Sequence, residues 1–153
     1  MITKKRQNLE REVIMSAREY GINMVLFRNA VGAKLGVNVT DMECLGLLFF
    51  KGIASPSELA RYTGLSSGAT TAMLDRLEHA KLIRRKPNPK DRRSVLIEVE
   101  KTSVKTVGPL FAPTRQAQDK LVASYSEQEL MIIADFFRQF TAIWEQGRQR
   151  LTR

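Results

Sequence analysis

Apolar residues recur at helical spacing along three long stretches of the chain and alternate with polar residues along two short ones. The helical spacing covers residues 8 to about 34, residues 101 to about 125, and the region after Ser126. The alternation covers Leu82–Lys86 and Val95–Val99. This pattern predicts a mainly α-helical protein with a small β-hairpin.

Capping signals place the beginnings of three helices. A serine or threonine followed by glutamate three residues later satisfies the free amides of a first helical turn. Such pairs are Thr40 with Glu43, Ser55 with Glu58, and Ser126 with Glu129. The first of these helices is predicted to end near Gly52. The second is short, because Gly64 supplies the left-handed residue that stops it. In the stretch from 101 to 125, Pro109 and Pro113 are expected to break or kink the helix.

A further helix follows this short one at once. Ser66 is its predicted cap, and it runs to about Ala80. Its predicted apolar face consists of Ala69, Met73, Leu77 and Ala80, while the opposite face is small and polar over its first half. At 1.5 Å per residue it spans about 20 Å, which is enough to lie in a DNA major groove.

The two strands are joined by a basic loop. Turn-forming residues 87–91 separate them, so we expect a hairpin. Between Arg84 and Arg93 the only acid is Asp91, against six basic residues. The order helix, turn, helix and basic hairpin is typical of a winged helix-turn-helix, in which the second helix enters a major groove and the wing reaches the adjacent minor groove.

Composition favours a polyanionic partner and argues against other classes. The chain has 25 Lys and Arg against 16 Asp and Glu, a formal charge of +9. One cysteine excludes an intrachain disulfide. The first residues lack a signal peptide, and no apolar run approaches the ~20 residues of a membrane span, so we expect a cytoplasmic protein. Without a Ser-His-Asp set, a glycine-rich phosphate loop or metal-ligand spacing, we expect no enzyme activity, no cofactor and no metal.

Candidate DNA contacts lie on the second helix and on the wing. Hydroxyl groups on the outward face of the helix suit base edges or phosphates. Arg76 reaches either DNA or an acid inside the fold. Arg92 and Arg93 suit a narrow minor groove, with Asp91 orienting a neighbouring arginine, although a solvated hairpin is the plain alternative. The predicted DNA-binding residues are Ser67, Thr70, Thr71, Arg76, Arg84, Lys86, Asn88, Lys90, Asp91, Arg92 and Arg93. Arg84 and Arg85 point to opposite faces of a strand, so we expect only one of them to meet DNA.

The helices that flank the wing unit predict a homodimer. Their apolar stripes exceed what a small three-helix module can cover, so mutual burial between two subunits is expected. The alternative is a monomer whose terminal helices fold back on its own core. We expect a single domain over residues 1–153, with the winged helix-turn-helix at about 40–100 and dimerisation helices at about 8–35 and 102–150. Two such units would read a pseudo-palindrome in double-stranded DNA.

The wing Asn88–Arg93, the strand Val95–Val99 and the helix Ser66–Leu77 resemble the MarR family of bacterial transcription regulators. The resemblance covers nearly the whole chain. It implies an obligate homodimer on a palindromic operator, often released by a small aromatic or phenolic ligand held between the dimerisation helices and the DNA-binding lobe. The chain departs from the family pattern at Ala72, where a basic residue is common, and at Val99–Glu100, where Leu-Thr is common.

Two alternatives stand beside a ligand-responsive repressor. One is a redox-responsive repressor acting through Cys44, although a lone thiol among Leu45 and Leu48 is typical of a core. The other is a helical protein-interaction module whose wing carries only solvated charge. Seven residues are candidates for a ligand pocket, most of them expected in the core: Met15, Met24, Phe27, Phe49, Phe50, Phe111 and Trp144.

Overall fold

The computed structural model describes residues 3–151, so residues 1, 2, 152 and 153 of the predicted domain lie outside the described residues. The elements in chain order are α1 Lys4–Leu35, α2 Val39–Lys51, β1 Ile53–Ala54, α3 Pro56–Thr63, α4 Ser67–His79, β2 Ile83–Asn88, β3 Asp91–Val99, α5 Ser103–Ala123 and α6 Glu127–Leu151. The predicted fold class, mainly α-helical with a winged helix-turn-helix, is confirmed. The chain divides into two compact units, the first extending to Gly108 and the second beginning at Pro109.

The capping boxes at Ser55 and Ser126 form as predicted. The Glu58 amide donates to Ser55 Oγ at 3.3 Å, and the Ser55 amide donates to Glu58 Oε2 at 2.8 Å. The same reciprocal bonds join Ser126 and Glu129 at 3.3 and 2.8 Å. Gly64 ends α3 with φ +73°, in the left-handed region that favours glycine. These signals act over three or four residues, and they place the helix ends correctly.

The predicted box of Thr40 and Glu43 is wrong. Helix α2 begins at Val39, and its cap is Asn38. The Asp41 amide donates to Asn38 Oδ1 at 2.9 Å, and the Asn38 amide donates to Asp41 Oδ2 at 3.0 Å. Asparagine and aspartate can form the same reciprocal pair as serine and glutamate. The sequence therefore contains two possible capping boxes whose first residues, Asn38 and Thr40, are two positions apart.

The core of the first unit lies where α2, α3, α4 and the sheet meet. The strand order is β1-β3-β2, antiparallel throughout. The largest fully buried side chains are aliphatic or sulfur-containing, apart from Asp41: Leu45, Leu48, Leu59, Met73, Leu74, Leu77, Ile83, Ile97 and Cys44. Strand β1 was not predicted, because two residues are too short to show an alternation.

The hairpin is longer than the sequence predicted. Strands β2 and β3 extend to Asn88 and Asp91, leaving Pro89 and Lys90 as the turn. Pairing shifts register at the tip, since Pro87 faces Val95 while Asn88 faces Asp91. Residues 92–94 are therefore the extra residues of a β-bulge, which leaves them outside the regular ladder.

Helix α5 passes through Pro109 and Pro113 without interruption, so the predicted break is absent. Each proline removes one backbone hydrogen bond, and the bonds on the other sides of the helix hold the segment helical. Among residues 3–151, no helix combines the length and the apolar character needed to cross a membrane.

Candidate nucleic-acid interface

The first half of α4 presents a surface of small side chains. Ser66 caps the helix, with the Ala69 amide donating to its Oγ at 3.3 Å. Ser67, Gly68, Thr71 and Ala72 are exposed. The Thr71 hydroxyl donates to the Ser67 carbonyl at 3.1 Å and keeps its lone pairs for another donor. A second molecule can therefore approach the backbone of this helix closely.

Thr70 lies on the opposite side of α4 from its predicted place, so its predicted outward position is wrong. It is 3% exposed, and its Oγ1 donates to the Ser66 carbonyl at 2.9 Å. A threonine whose hydroxyl is satisfied by the preceding turn can be buried much as a valine is. The buried stripe is Thr70, Met73, Leu74 and Leu77, and it is rotated from the predicted one, since Ala69 is exposed.

Arg76 is bound inside the fold. Its Nε and Nη2 donate to Asp41 Oδ2 and Oδ1 at 3.1 and 2.7 Å, a bidentate pair across 35 residues. Asp41 is 0% exposed, and the Arg76 side chain is 46% exposed. The hydrogen bonds that Arg76 donates to Asp41 raise the pKa of Arg76, against the effect of burial. Of the two roles open for Arg76, the structure shows the internal one, and the guanidinium is committed to holding α4 against α2.

Three wing cations are neutralised by acids of the fold. Arg84 Nη2 lies 2.5 Å and Lys86 Nζ 2.7 Å from the two carboxylate oxygens of Glu98. Hydrogen bonds from Lys86 and then Arg84 lower the pKa of Glu98, so the group stays ionised. On the other face of β2, Arg85 donates to Asp75 Oδ1 at 2.6 Å and is ion-paired with Glu78, which ties the wing to α4.

Burial lowers the pKa of Arg85, but the hydrogen bonds and charges of Asp75 and Glu78 outweigh it and raise the pKa overall. Arg84 and Arg85 thus face opposite sides, as the strand alternation predicts. Arg84 and Lys86 share the single carboxylate of Glu98, so their face of the strand keeps one net positive charge, and the pairing reduces but does not remove what these two residues can offer to a phosphate.

The wing tip is shaped by two side chains that accept from its backbone. Asn88 Oδ1 accepts from the Lys90 amide at 3.0 Å, and Asn88 Nδ2 donates to Ser94 Oγ at 2.9 Å. Asp91 Oδ1 accepts from the Arg93 amide at 3.0 Å. The expectation that Asp91 orients an arginine side chain is therefore wrong, because its carboxylate orients the backbone of the bulge.

Lys90, Arg92 and Arg93 are exposed at this tip, and within residues 3–151 none of the three takes part in an ion pair. The wing therefore carries its cations in two groups. The strand cations are compensated internally, and the tip cations are available to an external anion. Sequence reasoning missed the acids that make this division, Asp75, Glu78 and Glu98, because each partner is 7 to 14 residues away from its cation.

Cys44 lies in the core beneath this surface, as predicted. It is fully buried, and burial together with the charge of Asp41 raises the pKa of its thiol to about 12. A reactive sensor needs an accessible thiolate, and this environment favours the neutral thiol. Among residues 3–151, no three His, Cys, Asp or Glu side chains are grouped to hold a metal ion.

The apolar residues singled out for a pocket or a core are mostly at the surface of the single chain. Phe50 is 89% exposed and Trp144 is 67% exposed, and Met15, Met24 and Phe49 are exposed as well. Phe27 and Phe111 are half-buried. The expectation that most of the set lies in the core is wrong, since one chain leaves these helix faces uncovered.

Comparison with known proteins places this geometry among transcription regulators. A family model described as MarR family matches residues 37–95, from α2 into β3. The uncharacterised HTH-type transcriptional regulator YcgE of Bacillus subtilis (strain 168) is 36% identical over 146 residues, which cover 95% of either chain.

Solved structures with a similar fold include two mutants of MepR from S. aureus. The first has a TM-score of 0.70 at 18% identity, covering 86% of this chain and 96% of that one. The second, bound to an oligodeoxyribonucleotide, has a TM-score of 0.56 at 19% identity, covering 86% and 97%. At these identities the similarity concerns the fold alone.

Proposed function

This chain belongs to the MarR family of DNA-binding transcription regulators, and from that premise we propose that it is a homodimeric repressor of a pseudo-palindromic operator. The observation that carries the proposal is the division of charge on the wing. Lys90, Arg92 and Arg93 are unpaired at the tip within the described residues, while the strand cations are bound to acids of the fold. A hairpin that served only solubility would not need this separation.

The two halves of the surface suit the two grooves of a duplex. The small residues at the start of α4 allow its backbone to approach base edges, and its first amides are donors for a phosphate. Arginines at the tip of a wing are attracted by the strong negative potential of a narrow minor groove. The MepR mutant bound to an oligodeoxyribonucleotide supports the same use of this fold.

The proposal of a dimer is supported by the exposure of the terminal helices. Within the described chain no residue of α6 is buried, even though the helix carries large apolar side chains. Met131 is 71% exposed, and Phe136, Phe140 and Trp144 form a row of ring contacts along the helix. Helix α1 also carries exposed Leu9, Val13, Ile22 and Leu26. Rows of exposed large apolar side chains along a helix are typical of an interface, and a second copy of the chain would bury them symmetrically.

The proposed release by a small ligand is supported by a groove between the end of α2, the sheet and the beginning of α5. It has a volume of about 480 Å³, and its lining includes the apolar Phe49 and Val104 together with Arg84, Lys86 and Glu98. That volume suits a small molecule. A small molecule with an apolar or aromatic ring and an acidic group fits this lining. Its acidic group would compete with Glu98 for Arg84 and Lys86, and this competition would act directly on the wing strands.

The test begins with selection of bound sequences from random duplex DNA, followed by sedimentation of the free protein. We expect inverted half-sites and a dimer. The variant Arg92→Ala/Arg93→Ala is then expected to bind the selected operator at least about tenfold more weakly, because two minor-groove cations are lost from each subunit. The control Lys4→Ala/Lys5→Ala removes the same charge at the beginning of α1 and is expected to bind as the unmodified protein does.

Three results would contradict the proposal. They are sedimentation as single chains at working concentration, selection of no duplex sequence, and operator affinity of the double arginine variant equal to that of its control.

A further inference from the structure

The buried residues of helix α1 lie near its C-terminal end. Its buried residues are Val31 and Gly32, and residues 4–26 include no buried side chain. Its main packing partner in the unit is α2. Residues 4–26 therefore add no buried side chain to the DNA-binding lobe, by which we mean residues 39–99.

Gly32 allows α1 to pack closely against the turn that follows it and against Met42 of α2. A Cβ atom at Gly32 would lie 2.8 Å from the Val37 carbonyl oxygen and 3.2 Å from Met42 Cγ. The Val37 amide donates to the Gly32 carbonyl at 2.9 Å. The Val37 bond belongs to the C-terminal cap of α1, while the close approach of Met42 limits the distance between α1 and α2. A single point of contact at this joint between the two helices still allows rotation about it.

A second contact lies one helical turn away on the same face of α1. Arg28 Nη1 is 2.5 Å from both carboxylate oxygens of Glu43, which lies on α2. Both side chains are about one-third exposed, at 29% and 34%. Two contacts one turn apart define a line, so the Arg28–Glu43 pair opposes the rotation that the Gly32 contact permits.

The length of α1 amplifies any rotation at this joint. From Arg28 back to Lys4 the helix extends about 36 Å at 1.5 Å per residue. A turn of about 10° at the joint moves the far end by about 6 Å, against a base spacing of about 3.4 Å along a DNA strand. A small change at the joint therefore alters the separation of two lobes by more than one base pair.

We propose that Arg28 and Glu43 are positioning residues that set the angle between α1 and the DNA-binding lobe, and through it the half-site spacing that the dimer accepts. This inference rests on the proposed function, because it needs a dimer that reads two half-sites. The pair itself touches no DNA and adds no base readout.

The test measures binding to a panel of duplexes in which two selected half-sites are separated by different spacers. The variants are Arg28→Gln, Glu43→Gln and the exchanged pair Arg28→Glu/Glu43→Arg. The control is Arg6→Gln, which removes an exposed pair with Glu10 inside the same helix. Unfolding temperature and sedimentation are measured for each variant, and loss of a part-exposed pair is expected to lower the unfolding temperature by at most about 4 °C.

We expect the unmodified protein and Arg6→Gln to show one sharp spacing optimum. Each single variant at the joint is expected to bind neighbouring spacers within about threefold of the optimum, and the exchanged pair to restore the sharp profile. A purely structural role would weaken all spacers equally. An unchanged profile in both single variants, equal weakening on every spacer, or a single variant that sediments as a monomer would overturn the inference. If the unmodified protein is monomeric or binds no duplex, the proposed function fails instead.

Discussion

The Asp41–Arg76 pair allows a prediction in which removing either partner has unequal effects. Asp41 is 0% exposed, and its carboxylate accepts from the Asn38 amide and from two nitrogens of Arg76. Arg76→Gln leaves the buried charge of Asp41 with the Asn38 amide as its one remaining backbone donor. This change is expected to lower the unfolding free energy by about 3–5 kcal/mol. Asp41→Asn leaves the half-exposed Arg76 to be hydrated and keeps an acceptor for the Asn38 amide, so its expected cost is about 1–2 kcal/mol.

The assay is urea unfolding followed by far-UV circular dichroism, at one fixed protein concentration because a dimer's stability depends on it. Asp41→Asn/Arg76→Gln is expected to be more stable than Arg76→Gln alone, since it removes the stranded charge. The exposed pair at Arg6 supplies the control, and Arg6→Gln is expected to cost less than about 1 kcal/mol. If Arg76→Gln costs no more than Asp41→Asn, the buried carboxylate does not depend on its partner and the reasoning is refuted.

Three further predictions follow from single features of the chain. With its pKa raised to about 12, the Cys44 thiol is about one part in ten thousand ionised at pH 8. A thiol reagent should therefore modify the urea-unfolded protein quickly and the native protein hardly at all. Rapid modification of the native protein would contradict this and would favour the redox-responsive repressor. Lys81 follows the cap of α4 and has φ +57°, where a residue with a side chain is strained. Lys81→Gly should therefore raise the unfolding free energy by up to about 1 kcal/mol. A loss of stability would show that the Lys81 side chain has another role. If the dimer contacts six or more phosphates, its operator affinity should fall about a thousandfold between 50 and 200 mM salt, and the Arg92→Ala/Arg93→Ala variant should show a shallower slope; affinity indifferent to salt would favour the interaction module.

Local rules in the sequence were sufficient for the order of the helices and of the two hairpin strands, and for the ends marked by Ser55, Gly64 and Ser126. The boxes at Ser55 and Ser126 and the glycine at Gly64 act within four residues, so the folded environment does not change them. The basic wing was also visible, because its charge is contiguous in the chain. Where two local solutions overlapped, as Asn38–Asp41 and Thr40–Glu43 do, the sequence alone could not choose between them.

Only the tertiary structure decided which of the candidate residues are available to a ligand. Thr70 faces the core because the packed face of α4 differs from the one that the sequence pattern predicted. Arg76 is bound to Asp41, which lies 35 residues away in the chain. The strand cations of the wing are likewise ion-paired with acids distant in the chain, namely Glu98, Asp75 and Glu78. The net charge is set by composition, but the ion-pair partners are set by which elements pack together. For Asp41, which is fully buried, burial also makes the pairing necessary, since an acid withdrawn from water must be paired.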